Sequence, residues 1–152
     1  MKNNFYYDDL AGSIIITAWR LEQLADRYVF EPLGLSAAAV KIIGLLDHCG
    51  PMTPLAISES LGSTKSNITQ RLNLLERSGL IRRSANKNSK DKRQILIELT
   101  DRGQVKFREV IKVWRQKQKN IGKFFPAAEI KQLLGGLKKI NMHLNECQKN
   151  NC

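Results

Sequence analysis

The sequence predicts a mainly α-helical fold with one small β-hairpin, in the order helix, helix, helix-turn-helix, hairpin, helix, helix. Three observations predict it. Apolar residues recur at helical spacing along most of the chain, between capping residues and Gly or Pro breaks. Two β-prone stretches, LIRRSA and QILIEL, are separated by a polar, basic run that turns abruptly apolar, NKNSKDKRQILI over residues 86–97. The length, 152 residues, allows one domain with a real core and is too short to expect two independent ones.

From Asp8 to about Phe30, Leu10, Ile14, Leu21, Leu24, Ala25 and Tyr28 recur at helical spacing with Trp19 beside them, and Glu31-Pro32 is expected to break the helix. Ser36 caps a second helix, AAAVKIIGLLDHC, closed by Gly50-Pro51. Thr53 before Pro54 starts a third, PLAISESL, ending at Gly62. Ser63 or Thr64 caps a fourth, KSNITQRLNLLERS, which stops at Gly79. In the second β-prone stretch Ile95, Ile97 and Leu99 share a face. Thr100 caps a long fifth helix carrying Val105, Phe107, Val110, Ile111 and Trp114. After a break at Lys123-Phe-Phe-Pro126, the last helix shows Ile130, Leu133, Leu134, Leu137, Ile140 and Leu144 as one stripe. The first and last helices have no sheet or bundle of their own to cover, so their stripes are expected to pack on a second copy of the chain rather than, as the alternative, back onto the middle of the protein.

The formal net charge of +11 favours a polyanionic partner, nucleic acid or an anionic surface. The first 24 residues read as neither signal peptide nor membrane span, because Asp8 and Asp9 precede a short apolar run and Arg20 and Glu22 follow it. A cytoplasmic location is expected. Cys49, Cys147 and Cys152 are odd in number and lack framework spacing, which suits a reducing compartment.

On the fourth helix, at 100° per residue, Ile68, Leu72 and Leu75 fall on one face and belong to the core. Opposite lie Ser66, Gln70, Asn73 and Arg77, flanked by Asn67 and Thr69. These are short or planar hydrogen-bonding groups. Asn and Gln can pair with adenine, and Ser and Thr can reach bases or phosphates. Free backbone N–H groups at the helix start, with Lys65 beside them, suit a phosphate. A solvated face is the plainer explanation of such residues. The basic hairpin tip that follows directly makes it the weaker one: Lys87, Lys90 and Lys92 can neutralise phosphates, and Arg93 is long enough to enter a minor groove. Asp91 suits no phosphate and is expected to orient Arg93 or a nearby amide. The pattern is that of a winged helix-turn-helix, with the hairpin as wing.

The stretch from Leu33 to Gly103 resembles the MarR (multiple antibiotic resistance regulator) family of winged-helix transcription factors. The most specific pieces are LLERSGLI, residues 74–81, and the wing, SKDKR at 89–93 with LTDRG at 99–103. The flanking helices fit the family layout more loosely. The resemblance implies a homodimer with interlocked terminal helices, and recognition helices in successive major grooves of a pseudo-palindromic operator in double-stranded DNA. Arg93 then matches the family's wing arginine and Asp91 its wing aspartate. Thr64, Lys65, Ser66, Asn67, Thr69, Gln70 and Arg71 fall where the family's recognition helix meets DNA, with phosphate contact expected from Arg71. On this reading residues 33–100 form the DNA-binding part and 5–32 and 101–148 the dimerisation helices of one MarR-type domain.

The resemblance also implies a repressor released by a small organic effector, with Trp19, Tyr28 or Trp114 as candidate pocket residues. Peroxide sensing is disfavoured, since the first helix holds no cysteine and Cys49 reads as a small buried hydrophobe. Two His–Cys pairs, His48 with Cys49 and His143 with Cys147, lack carboxylate partners at ligand spacing, so neither a metal nor a cofactor is expected. No phosphate loop or nucleophile motif suggests an enzyme. The runner-up is a winged-helix adaptor for protein or RNA, for which apolar anchors would be expected on the recognition helix. Membrane-surface binding by Lys106, Arg108, Lys112, Arg115, Lys117 and Lys119 ranks third, because the apolar residues of that helix have core or dimer contacts to make.

Overall fold

The structure is a computed structural model that describes residues 9–86, 94–119 and 121–150. Residues 1–114 and 115–152 form two compact units. Asp9 opens the first helix, α1 (Leu10–Ala25), by accepting from the Gly12 N–H at 2.7 Å. At Glu31-Pro32 the helical run changes type rather than giving way to extended chain. Helical turns continue as a π-helical turn, Asp26–Phe30, and a short 3-10 turn, Glu31–Leu33, before Gly34 reverses the chain at φ 71°. Pro32 stands in the first turn of a new helical segment, where its missing N–H costs no bond. The Asp26 carboxylate accepts from the Ala37 N–H at 2.7 Å, and Ser36 Oγ accepts from Ala39 N at 3.2 Å. Two orphan donors at the start of α2 (Ala37–Cys49) are thereby satisfied.

Thr53 and Thr64 cap α3 (Pro54–Ser60) and α4 (Lys65–Arg77), each accepting from the N–H three residues on. Ile68, Leu72 and Leu75 of α4 are buried, as the periodicity requires, in a core with Ile42, Ile43, Leu46, Ile57, Leu80, Ile81, Ile97 and Val110. The strands β1 (Ile81–Ala85) and β2 (Ile95–Leu99) are antiparallel, with Ile81 opposite Leu99 and Ala85 opposite Ile95. Met52 adds a third, one-residue rung, exchanging both backbone bonds with Ile97 at 3.1 and 2.8 Å. Of the three residues placed on one face of β2, Ile97 is fully buried and Leu99 partly, whereas Ile95, beside the hairpin connection, is 46% exposed.

Helix α5 (Asp101–Gln118) begins where α4 ends. Gly79 and Leu80 close α4 by bonding back to Glu76 and Leu75 at 2.8 and 3.0 Å, with Gly79 at φ 70°. Thr100 joins the two ends: its hydroxyl donates to the Gly79 carbonyl at 2.7 Å and accepts from Gly103 N at 3.0 Å. Gly103 lies so close that a Cβ there would stand 2.1 Å from the Leu80 carbonyl oxygen.

Several apolar side chains of α1 and the π-helical turn after it face outward: Leu10, Ile15, Trp19, Leu24 and Tyr28 are all more than half exposed. In the second unit, α6 (Ala127–Asn150) likewise exposes Leu133, Leu134, Met142 and Leu144. Among the described residues no single helix is long and apolar enough to cross a membrane.

The Gly103 contact yields a stability prediction. Gly103→Ala should destabilise the fold by about 2–3 kcal/mol, because backbone rather than a movable side chain blocks the added methyl. Denaturant unfolding of the two proteins measures this, and equal midpoints would contradict the close approach.

Candidate nucleic-acid interface

The outward side of α4 is built by the burial of the inward side. With Ile68, Leu72 and Leu75 fixed in the core, Thr64, Lys65, Ser66, Asn67, Thr69, Gln70, Asn73 and Arg77 are exposed, and Arg71 is half-buried at the edge. The structure therefore brings all seven α4 candidates onto one accessible surface, with Arg71 nearest the core as expected. Two of the hydroxyls have local duties. Thr64 Oγ1 accepts from Asn67 N at 3.2 Å, and Thr69 Oγ1 donates to the Lys65 carbonyl at 2.8 Å. Thr69 thus keeps lone pairs for an external donor, while its own proton is engaged. The surface is not wholly polar, since Leu74 is 60% exposed. An apolar group there can meet a thymine methyl.

The wing candidates Lys87, Lys90, Asp91, Lys92 and Arg93 lie outside the described residues. What is described is the base from which they spring. Asn86 N donates to the Gln94 carbonyl at 2.9 Å and Asn86 Nδ2 to Gln94 Oε1 at 2.6 Å. These two hydrogen bonds fix where the connection leaves and rejoins the sheet, at the end of the strand that follows α4.

Sequence reasoning missed the polar network that supports this surface. Arg83 on β1 pairs with Glu76 of α4 through Nη1 and donates through Nη2 to Asn73 Oδ1 at 2.8 Å. Strand alternation was the available signal: Arg83 is two residues from the buried Ile81, so both point to the same side of the sheet. On the other side, Arg82 donates from Nε and Nη2 to Glu98 Oε2 at 3.0 and 2.8 Å, and the Ser84 hydroxyl donates to Glu98 Oε1. The Ser84 bond first, then Arg82, holds the Glu98 carboxyl below its ordinary value, against an opposing effect of burial.

Residues of α1, the π-helical turn, α2 and α5 line an open apolar pocket of about 360 Å³, with Leu21, Ala25, Phe30, Val40, Phe107 and Trp114 among its walls. The Phe30 and Trp114 rings lie 6.4 Å apart, and the Glu22–Lys41 ion pair, 2.6 Å, stands at its edge. Of the three aromatics named from sequence, Trp114 lines the cavity; Trp19 and Tyr28 do not. Cys49 is exposed rather than a buried hydrophobe: burial on α2 ends at Leu46, and Cys49 is the last residue of the helix. Among the described residues no group of three His, Cys, Asp or Glu side chains could hold a metal ion. The Cys147 side chain and Cys152 lie outside the described structure.

The MarR family pattern matches residues 35–95. Over 137 residues the chain is 30% identical to the HTH-type transcriptional regulator PecS of Dickeya dadantii, covering 86% of this chain and 81% of that one. The chain belongs to the MarR family. An uncharacterized HTH-type transcriptional regulator of Bacillus subtilis, YfiV, is 27% identical over 83% of this chain and 78% of its own length. Apo MarR from E. coli superposes with a TM-score of 0.78 at 26% identity, covering 87% of this chain and 96% of that one. A mutant MarR from E. coli complexed with operator DNA superposes at 0.71, also at 26% identity, covering 86% and 92%. The protein is thus a MarR-family transcriptional regulator and not an enzyme, and six helices with a two-stranded wing are the MarR fold.

The Glu98 network makes stability depend on pH. A folded-state value held below the ordinary 4.5 means that unfolding takes up a proton as the pH falls. The stabilisation is full above 4.5 and is lost as the pH drops through the lower folded value. The stability gap between wild type and Glu98→Gln should therefore narrow from neutral pH toward pH ~3, measured by denaturant unfolding. A constant gap would mean that the network does not act on ionisation.

Proposed function

We propose that the chain acts as a homodimer that binds a pseudo-palindromic operator in double-stranded DNA, α4 of each copy entering a major groove and each wing meeting the flanking minor groove. One observation carries this reading: the accessible face of α4 presents Ser66, Asn67, Thr69 and Gln70 while its opposite face is locked into the core. The resemblance to a MarR complexed with operator DNA supports it. Uncovered apolar side chains on α1 and α6 support pairing with a second copy. Lys65 and Arg71, with Lys90, Lys92 and Arg93 of the wing, supply phosphate and minor-groove contacts, and Asp91 orients the wing.

Selection of bound duplexes from a random library at near-physiological salt tests the proposal. Two half-sites about one helical turn apart, ~34 Å, are expected. Binding without any motif would leave non-specific electrostatics or the adaptor reading. Arg93→Ala should weaken operator binding by about 1–3 kcal/mol without changing the melting temperature. Unchanged affinity in the folded variant would remove the wing from the interface.

A ligand-responsive repressor is the second part of the reading, and the apolar cavity favours it. An exposed pair such as Glu22–Lys41 is worth only ~0–1 kcal/mol, so Lys41 is free to take a ligand carboxylate at little cost. Benzoate and 2-hydroxybenzoate are suitable probes. Either should release wild-type protein from the operator, whereas Val40→Phe, which fills the cavity, should bind the operator and ignore the probe. Equal release of both proteins would place the effector elsewhere.

A further inference from the structure

Asn73 belongs to the outward face of α4, and a free asparagine there would offer both an acceptor and a donor. It is not free to turn. Arg83 Nη2 donates to Asn73 Oδ1 at 2.8 Å, while Nη1 of the same guanidinium pairs with Glu76, three residues further along the helix. A guanidinium has donors only, so the bond fixes which end of the amide faces it. The oxygen points to Arg83, and the Nδ2 hydrogens are directed elsewhere. Arg83 is itself held by Glu76 and by a strand whose register against β2 is set, with Arg83 opposite Ile97.

The consequence for base recognition is chemical. The adenine edge is matched by an amide that donates and accepts at once; the acceptors of guanine, O6 and N7, and thymine O4 are matched by donors. We infer that Arg83 is a positioning residue that sets the base preference of the recognition helix: it turns the Asn73 oxygen toward the strand, so that the Nδ2 hydrogens lead and favour the acceptors of guanine or thymine over the mixed edge of adenine. The inference rests on the operator-reading role proposed above and adds to it a residue that touches no DNA itself.

The test is duplex selection with wild type, Asn73→Ala, Arg83→Met and Arg83→Lys, alongside their melting temperatures. Asn73→Ala should flatten preference at one operator position and so identify the base that Asn73 meets. Arg83→Met should move preference at that position toward adenine by about five-fold or more and leave the other positions alone. Arg83→Lys keeps a cation beside Glu76 but cannot hold two partners in one plane. It should therefore keep the fold and show the same shift. Folded Arg83 variants that retain the wild-type preference, or that weaken all sequences alike, would reduce Arg83 to a brace between strand and helix. Uniform weakening by Asn73→Ala would point to a phosphate contact and overturn the inference as well. A wild type that selects no motif overturns the operator reading itself, and this inference with it.

Discussion

The structure depends on the contact between the exit of the recognition helix and the start of α5. Thr100 binds the Gly79 carbonyl and caps the helix that carries Gly103, and Gly103 leaves room for the Leu80 carbonyl to come within reach of the α5 backbone. Gly79 reverses the chain at a positive φ, so Leu80 and Ile81 enter the core immediately after α4. The sheet then runs back from a fixed origin. Since β1 must start at Ile81 and β2 must end at Leu99, the register of the hairpin follows from this junction, and so does the place from which the wing emerges. A reading helix is useful only if its face is held at a constant angle to its supports. Here that angle rests on backbone contacts, which have little freedom to relax.

The polar residues around the hairpin build on that frame from both sides. Arg82, Ser84 and Glu98 tie the strands to each other on one face, and Arg83 ties the sheet to α4 on the other. Their energetic contribution is modest, since all these groups keep some exposure and exposed pairs are worth at most ~1 kcal/mol. Their geometric contribution is larger. Planar bonds to arginine constrain direction as well as distance. The strand that leads into the wing and the helix that carries the reading face therefore cannot tilt independently.

Much of this was legible because it is local. The caps Ser36, Thr53, Thr64 and Thr100 act on residues three positions away, and the buried stripe Ile68, Leu72, Leu75 follows from helical periodicity alone. What was not legible depends on partners distant in the chain. Met52 becomes a sheet rung only because Ile97, 45 residues later, passes beside it. The α-helix gives way to a π-helical turn at Asp26 and to a 3-10 turn at Glu31-Pro32, and Asp26 caps α2 eleven residues on. Cys49 looked like core by residue type, yet the core stops one turn earlier. Residue type alone does not set Arg83 apart from the other cations of a basic chain. Its inward face and its two partners follow from strand alternation combined with the α4 junction, and neither alone is sufficient.

The terminal helices raise a question of economy that the reading head does not answer. Helix α1 sends Ala25 and Leu21 toward the cavity it shares with α2 and α5, while Leu10, Ile15, Trp19 and Tyr28 remain uncovered. One helix thus borders both an apolar cavity beneath the head and an apolar surface open to a second copy. A dimer that covers the outer face would fix α1 from one side, and the contents of the cavity would press on it from the other. Phe30, at the end of the π-helical turn, reaches the cavity and meets Trp114. The turn that replaces a clean helix end is therefore what brings an aromatic wall to the space. A ligand that fits the cavity better in one spacing of the two heads than in another shifts the population toward that spacing, by no more than the difference in its binding free energy. The proposed operator would demand one spacing, about a helical turn. In the proposed ligand-responsive dimer, a small difference in how α1 and α5 hold a ligand would then compete with DNA, without any change in the residues proposed to read it.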